Sequence, residues 1–558
     1  MKREKYLVCC ALPYANGPIH LGHLAGAYLP GDIYARFRRL QGHDVHFLCG
    51  SDEHGVSITI RAAQEGTTPQ AVVDKYHAIM RDSLKACLVE FDVFSRTTYP
   101  WHIKRSQEFF THLMERGLIE KRAEKRLFCE TDQKFLPDRY VVGECPHCHA
   151  AGARGDQCEK CGSWYEPEEL INPICQICGK TRATLRDTTH WYFLMNKLDG
   201  ELRAWLDSKK TWRKNVLGYA NQPLKQTLTA RSITRDIEWG IPVPLPDAKG
   251  KVLYVWFDAP IGYISASEDW SRQQGDPERW KSYWEDKNTK LIHFIGKDNI
   301  IFHSVVWPAI LMGDKRYVLP DLVAGNEFLN LEGEKFSTSR NYAIWLQDAL
   351  QIIDVDLLRY YLTSISPETS DSNFTWAEYQ VKVNTELADI IGNLTNRVLT
   401  YVNKAFDGII APATPLLNEK IRGAIVQSRT RYEEALAGGF SKDALQATVE
   451  LARSLNVFLQ ESAPWKTIKQ DKNIAHQDLY SVACGIKVVA GLLYPICPTI
   501  AQKIWAQLGF EGSIAEASWD ELTATPLQAG HKISTAIAPL VAKVEDEFVV
   551  EQRAKLQK

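Results

Sequence analysis

Two imidazoles flank a glycine in "ANGPIHLGHLAG", residues 15–26, where the turn residues Asn16, Gly17 and Pro18 give way to a helical pattern. His20 and His23 could be metal ligands or parts of an anion site. Metal sites take three or four ligands, and this stretch supplies no local third. A helix N-terminus offers unpaired backbone N–H groups and the positive end of the helix dipole, a ready seat for phosphate. Two imidazole donors would add hydrogen bonds there, and Gly22 would let a nucleotide lie against the backbone.

A second chemical stretch is "GEKFSTSRN", residues 333–341, which crowds Lys335, Ser337, Thr338, Ser339 and Arg340 into a loop after the strand-like "VLPDLVAGNEFL". It reads either as solvated surface or as a mobile clamp that neutralises charge on a phosphate chain in the transition state.

The cysteines form a third set. Of thirteen, seven lie between Cys129 and Cys178. Paired CxxC in a large chain points to metal rather than disulfides, and to the cytoplasm. Cys145, Cys148, Cys158 and Cys161 have the spacing of a tetrahedral thiolate knuckle holding structural Zn2+. Cys175 and Cys178 lack a second pair, but "Cys129-Glu-Thr-Asp132" repeats the spacing with aspartate in the last place. Cys129, Asp132, Cys175 and Cys178 are therefore either a second zinc site or a degenerate knuckle without metal. Saturated thiolate sites leave no open position for water, so neither reads as catalytic.

The elements that must position these groups follow from periodicity. "KYLVCCA" is a buried-strand pattern, Leu29, Ile33, Phe37 and Leu40 mark one helix face, and "DVHFLCGSDEHG" is a second strand. Strand, glycine-containing turn, helix and strand form a βαβ unit, which predicts a Rossmann-like, doubly wound parallel α/β sheet. Ligands of such sheets bind at the carboxyl ends of the strands, so "ANGPIHLGH" and "GSDEHG" are expected side by side. The pattern breaks over residues 119–230, where turn residues and cysteine pairs dominate and no long helix is expected. It resumes with "KVLYVWFDAP", "LIHFIGKDN" and the helical "IIFHSVVWPAILMG". From residue 383 the chain is nearly all helix, with Leu445, Val449, Ala452, Leu455 and Leu459 on one stripe.

At 558 residues the chain needs several cores. The predicted divisions are a first half-sheet (1–118), a zinc-knuckle insertion (119–230), a second half-sheet (231–325), a linker carrying "KFSTS" (326–382), an α-helical domain (383–535) and a charged tail (536–558) read as an exposed helix or linker. A net charge of −2 gives no global basic signature, so any nucleic-acid footprint must be local. No apolar run reaches the roughly 20 residues of a membrane span. The basic N-terminus leads into a short apolar stretch broken by Pro13, which fits a leading strand better than a signal peptide.

HLGH after a first βα turn, with KFSTS some three hundred residues later, resembles the two signatures of the class I aminoacyl-tRNA synthetases. "ALPYANGPIHLGH", "YVWFDAPIGY", "HFIGKDNIIFHS" and the cysteine-paired insertion are similar to the methionyl-tRNA synthetase family within that class, in order and over essentially the whole chain. The resemblance implies activation of L-methionine by ATP with Mg2+, then transfer to the 3′ end of tRNA(Met), initiator and elongator. It implies that His20 and His23 contact the ATP phosphates and that Lys335 with Ser337, Thr338 and Ser339 holds the pyrophosphate. It further implies that Gly296, Lys297 and Asp298 lie against the adenosine, with Asp298 on the ribose hydroxyls. The family's common clamp, KMSKS, has a second lysine where this chain has Thr338, which leaves Lys335 and Arg340 as the cations.

For the amino acid, a thioether is apolar, flexible and polarisable and packs well on aromatic edges. Leu12, Tyr14, Trp256, Ala259, Pro260, Tyr263 and His303 are the candidate walls, and Asp52 the candidate anchor for the ammonium group. Without the resemblance carried by "WFDAPIGY", Trp256 and Tyr263 would read as ordinary core aromatics in a chain with sixteen tryptophans. In the helical part the resemblance assigns Asn393 and Arg397 to hydrogen bonds with anticodon bases and Trp465 to stacking. The insertion is too small and too cysteine-rich for the editing domain of the valine, isoleucine and leucine enzymes. The cysteine enzyme keeps zinc in its amino-acid pocket, whereas these knuckles lie far in sequence from both signatures. A non-catalytic RNA-binding scaffold is the rival of another kind. A monomer is expected.

Overall fold

The computed structural model describes residues 3–556 except 138–139, 156–157, 159, 162, 164, 180–182 and 337–341. Seven strands concern the site: β1 (Lys5–Cys10), β2 (Asp44–Ser51), β3 (Val93–Arg96), β4 (Ile119–Cys129), β5 (Thr184–Phe193), β6 (Lys290–Gly296) and β7 (Pro320–Asn326). Five of them form one parallel sheet in the order β7-β6-β1-β2-β3. The chain runs outward from β1 to β3, then returns to the other side of β1. The strand order thus reverses between β1 and β6, and the crevice beyond their carboxyl ends is where ligands of such sheets sit. "HLGH" follows β1 and "GKD" follows β6, so the two stretches straddle that point.

Burial explains the strand sequences. Leu7, Val8, Cys9 and Cys10 on β1 are all covered, as continuous apolar runs in parallel sheets require. Helix α1 (Leu29–Leu40) buries the predicted stripe of Leu29, Ile33, Phe37 and Leu40. Helices α2 (Pro100–Glu115) and α3 (Val255–Gln273) pack on each other. "KVLYVWFDAP" differs from its strand-like reading. Only Val252–Leu253 is extended, paired outside the main sheet with Thr234–Arg235, and the rest opens α3. Phe257 and Pro260 are buried in that helix, whereas Val255, Trp256 and Ala259 are partly exposed.

Between the half-sheets, β4 and β5 pair antiparallel from Ile119–Phe193 to Phe128–Thr184. This arm carries a separate small core in which Cys129, Cys145, Cys158 and Cys175 pack with Leu136, Val141 and Leu170. Two short helices, Asp199–Asp207 and Lys214–Ala220, follow β5.

The C-terminal part is helical, including α4 (Asn393–Phe406) and α5 (Ser441–Ser462), and α5 buries Leu445, Val449, Ala452, Leu455 and Leu459. A buried ionic joint ties this part to the sheet. Arg359 is fully covered and donates to Asp32 of α1 at 2.7 Å, to Cys87 O at 3.0 Å and to Ile496 O at 2.8 Å. The charged tail is not a free linker: α6 (Asp546–Leu556) buries Val549 and Gln552. It also sets Phe548 edge-on against Trp376, 5.6 Å between centroids, because its apolar residues find a face on the Trp376–Lys382 helix. No described helix is long and apolar enough to cross a membrane.

Candidate active site and metal clusters

His20 and His23 build the start of their own helix. His20 caps the Leu21–His23 turn, its Nδ1 accepting from Gly22 N at 3.1 Å, while His23 Nδ1 accepts from His20 N at 3.2 Å. Burial, with His23 beside it, pushes His20 well below the usual imidazole range, and burial brings His23 down to about 4. Both rings are therefore neutral near pH 7. With both Nδ1 atoms accepting, the proton of each ring sits on Nε2. Each half-buried imidazole thus offers one N–H donor, an arrangement for an anion. No third His, Cys, Asp or Glu joins them in a metal-sized cluster among the described residues.

The two signatures meet in space. Phe336 of "KFSTS" stacks on His20 with centroids 4.6 Å apart and planes at 8°. An added Cβ on Gly22 would lie 2.9 Å from His20 Cε1 and 3.7 Å from Phe336 Cδ2. Glycine is therefore required for the ring stack itself, a reason different from room for a nucleotide. Lys335 ends a short hairpin (Leu329–Leu331 with Glu334–Lys335), and its Nζ lies 5.7 Å over the Phe328 ring. Lys297 Nζ lies 3.9 Å over the same ring and is held by Asp371 at 2.7 Å and Glu327 at 3.1 Å. The "GKD" lysine and the hairpin lysine therefore share one aromatic ring. Gly296 ends β6, and Asp298 is exposed in the following turn. Ser337, Thr338, Ser339 and Arg340 lie outside the described residues.

The predicted amino-acid walls gather at the neighbouring strand ends. Tyr14 bridges to Asp52, and its ring meets Trp256 edge-on at 6.2 Å. Trp256 stacks on Phe302 at 3.8 Å and 15°. Leu12 packs onto Gly262, where an added Cβ would come within 2.8 Å of Leu12 Cδ2. Ala259 and Pro260 lie on the first turns of α3 beside Trp256. His303 Nδ1 donates to Asn299 O at 2.9 Å, and burial lowers the ring to about 4. Its Nε2 must then accept the Tyr263 hydroxyl proton, at 2.7 Å. That closed, uncharged pair is a wall suited to an apolar thioether. Asp52 is 3% exposed, and its Oδ1 has no partner among the described residues. Burial and the nearby Asp258 push its carboxyl well above the ordinary range.

Sequence reasoning missed several residues here. Asp258, His54 and His102 form a buried cluster beside Asp52, with His54 Nδ1 2.8 Å and His102 Nε2 3.5 Å from Asp258 Oδ2. Asp258 and His54 stood in plain view within "WFDAPIGY" and "GSDEHG", but nothing local marks them as partners. Arg235 lines the cavity shared with Tyr14, His54 and Trp256. Three π-helical turns were also invisible to periodicity: Leu24–Tyr28 after "HLGH", Phe302–Val306 around His303, and Val383–Gly392 before Asn393. Such turns add a residue to one helical turn and collect at functional sites.

Two cysteine clusters could hold metal. In the first, the sulfurs of Cys145 and Cys161 are 3.8 Å apart and those of Cys148 and Cys158 3.6 Å. Thiolates 2.3 Å from a tetrahedral ion lie about 3.8 Å from one another, so the four fit such an ion. In the second, Cys129 Sγ is 3.7 Å from Cys178 Sγ, and Asp132 Oδ2 is 3.2 Å from Cys129 Sγ and 3.1 Å from Cys175 Sγ. The shorter oxygen distances suit the shorter bond of a carboxylate ligand.

In the helical part, Arg397 lies 5.4 Å over the ring of Trp465, which is 36% exposed for so large an apolar side chain. Asn393 sits one turn earlier on α4, exposed, with its amide donating to Asp389 at 3.1 Å. The predicted trio therefore shares one surface, next to the π-helical turn.

Residues 6–399 match the family model of class I tRNA synthetases (M), and residues 417–557 match the anticodon-binding domain of methionyl tRNA ligase. The chain is 45% identical over 545 residues to the methionine–tRNA ligase of Pyrococcus furiosus, covering 95% of this chain and 74% of that one. It is 43% identical to that of Chlorobaculum tepidum, over 99% and 81%. It is also similar to the solved Mycobacterium tuberculosis methionyl-tRNA synthetase in complex with methionyl-adenylate, with a TM-score of 0.79, 25% identity and coverage of 96% and 99%. Two facing signatures at the reversal point of a parallel sheet, a cysteine-paired insertion and a helical C-terminal domain thus converge with these matches: the chain belongs to the class I methionyl-tRNA synthetase family.

Proposed function

We propose that L-methionine and ATP meet in the crevice between β1 and β6, and that the residues there divide the work as follows. Asp52 holds the ammonium group, while Leu12, Tyr14, Trp256, Ala259, Pro260, Tyr263 and His303 enclose the thioether. Gly296 and Asp298 take the adenosine, Asp298 through the ribose hydroxyls. A methionine carboxylate oxygen attacks the α-phosphorus, and the bond to the bridging oxygen breaks to release pyrophosphate. The Nε2–H donors of His20 and His23 hold phosphate oxygens as charge shifts toward the leaving group, and Lys335 neutralises the pyrophosphate with Ser337, Thr338 and Ser339. Mg2+ enters with ATP as part of the substrate. The 3′ hydroxyl of tRNA(Met) then attacks the acyl carbon and AMP leaves.

The observation that carries this reading is the His20–Phe336 stack, which seats the cationic hairpin on the imidazole donors. We assign Zn2+ to both cysteine clusters, one with four thiolates and one with Asp132 in place of a thiolate. When bound, it cross-links the insertion's small core, which then guides the acceptor end. Asn393, Arg397 and Trp465 read the anticodon, with about 1–3 kcal/mol from stacking one base on Trp465. A cytoplasmic monomer completes the proposal.

Amino-acid-dependent pyrophosphate exchange, run over several amino acids, tests it. Exchange with methionine alone is expected, and exchange with none would favour the RNA-binding scaffold. In His23→Ala, exchange should collapse with metal content unchanged, whereas loss of metal would revive the metal reading of "HLGH".

A further inference from the structure

Two carboxylates, Asp52 and Asp258, lie buried at the proposed ammonium subsite, and the neighbouring imidazoles face Asp258. Asp258 is fully covered on the first turn of α3. His54, two residues past Asp52, approaches its Oδ2 at 2.8 Å, and His102 of α2 approaches the same oxygen at 3.5 Å. The outer nitrogen of His102 is fixed by Ser265 Oγ at 2.8 Å, so the cluster ties α2, α3 and the end of β2 together. At 2.8 Å, His54 Nδ1 and Asp258 Oδ2 stand at hydrogen-bond distance.

The support of Asp52 is a backbone N–H, that of His54, rather than an imidazole. Its Oδ1, like that of Asp258, lacks a hydrogen-bond partner among the described residues, and it shares this interior with Asp258. The groups around it are few. Glu53 turns away to Arg96 at 2.8 Å and Thr98 at 2.5 Å. His54 and His102 face Asp258, Tyr14 covers the β1 side, and Arg235 lines the adjoining cavity. Two like charges cannot both persist in one dry site without a counter-cation. Burial works against ionised Asp258, but the two imidazoles outweigh it and hold that carboxyl below its ordinary value, so it keeps the charge.

We propose that Asp258, clamped by His54 and His102, is a positioning residue of the ammonium subsite, and that L-methionine enters by displacing a proton from Asp52. In the empty site Asp52 carries the proton. When the substrate ammonium arrives, the Asp52 O–H bond breaks, the proton leaves to solvent, and the new carboxylate accepts from the ammonium N–H. The ammonium keeps all its protons, so one proton is released per methionine bound. This rests on the assignment of Asp52 above and adds the charge that sets its state.

Calorimetric titration of the full chain with L-methionine, in two buffers of different ionisation enthalpy at neutral pH, reads that proton directly. Release approaching one proton per methionine is expected. Methioninol, which keeps the amine, should release as much, and 4-(methylthio)butanoate, which lacks it, should release none. Asp258→Asn should cut the release by more than half and move the acid-side weakening of methionine binding down by roughly one pH unit, with Asp258→Glu restoring both. Methionine binding without proton release, equal release with the desamino acid, or an unchanged Asp258→Asn would overturn the proposal. If Asp258→Asn fails to fold, the wild-type titrations still decide it. Absence of methionine binding altogether would instead count against the function proposed above.

Discussion

Gly22→Ala separates the chemistry of "HLGH" from its contribution to stability. Alanine is favoured over glycine inside a helix by about 1 kcal/mol. An added Cβ at this position would sit 2.9 Å from His20 Cε1 and 3.0 Å from His20 Nδ1. The imidazole must swing away, which gives up its cap on Gly22 N at 3.1 Å and its stack on Phe336 at 4.6 Å. Losing a side-chain cap costs about 1 kcal/mol, so the two effects on stability nearly cancel. Folding should therefore change by less than about 1 kcal/mol. The donor Nε2–H, however, is displaced by about an ångström, and misplacement of that size costs roughly 100-fold in rate. Single-turnover adenylate formation followed by quench flow, beside thermal melting, reads both. A fall in rate of about 100-fold with an unchanged melting point is expected. A rate within threefold of the parent would refute the argument that glycine is there for the imidazole.

Lys335→Ala should slow adenylate formation while leaving methionine affinity nearly unchanged, since the Lys335 ammonium sits over Phe328 and the wall is built by other residues, Tyr14 and Trp256 among them; equilibrium binding alongside pyrophosphate exchange checks this. Asp132→Ala should lower bound zinc from two per chain to one by elemental analysis, and a parent holding one zinc would refute the second site. Arg359→Met should cost about 3 kcal/mol, because among the described residues buried Asp32 then keeps one cation, Arg36, beside the Glu90 N–H; chemical denaturation measures it. Burial raises the Asp32 carboxyl, but Arg36 and Arg359 more than offset that and hold it below its ordinary value. Its contribution is therefore complete above the unfolded value of about 3.9 and lost as pH falls through the folded one. The acid-unfolding midpoint of Arg359→Met should lie at higher pH than that of the parent.

Local pattern made the sheet and the helical stripe legible. The run "KYLVCCA" must be covered on both faces, and the spacing of Leu445 to Leu459 admits one buried stripe. The CxxC spacing likewise needs no long-range information, since each pair closes within one turn. What stayed hidden depends on positions far apart in the chain. His54 and Asp258 are 204 residues apart, and Arg359 and Asp32 are 327 apart. A buried charge and its answer carry no shared periodicity, so neither residue predicts the other. "KVLYVWFDAP" misled for a related reason: aromatic and apolar density reads as strand, but a largely buried helix shows the same density.

The hairpin that carries Lys335 is braced from the far end of the chain. Glu332, at φ 46° in its turn, accepts from Trp376 N at 2.9 Å and from Arg553 of α6 at 3.1 Å. Glu332 and Arg553 are 221 positions apart. At a synthesis rate of about 5–20 residues per second, that separation lasts roughly ten to forty-five seconds. For that interval a nascent chain already holds both histidines and the lysine, yet lacks the outer support of the loop between them. The order in which this chain is made is therefore not the order in which its site is finished.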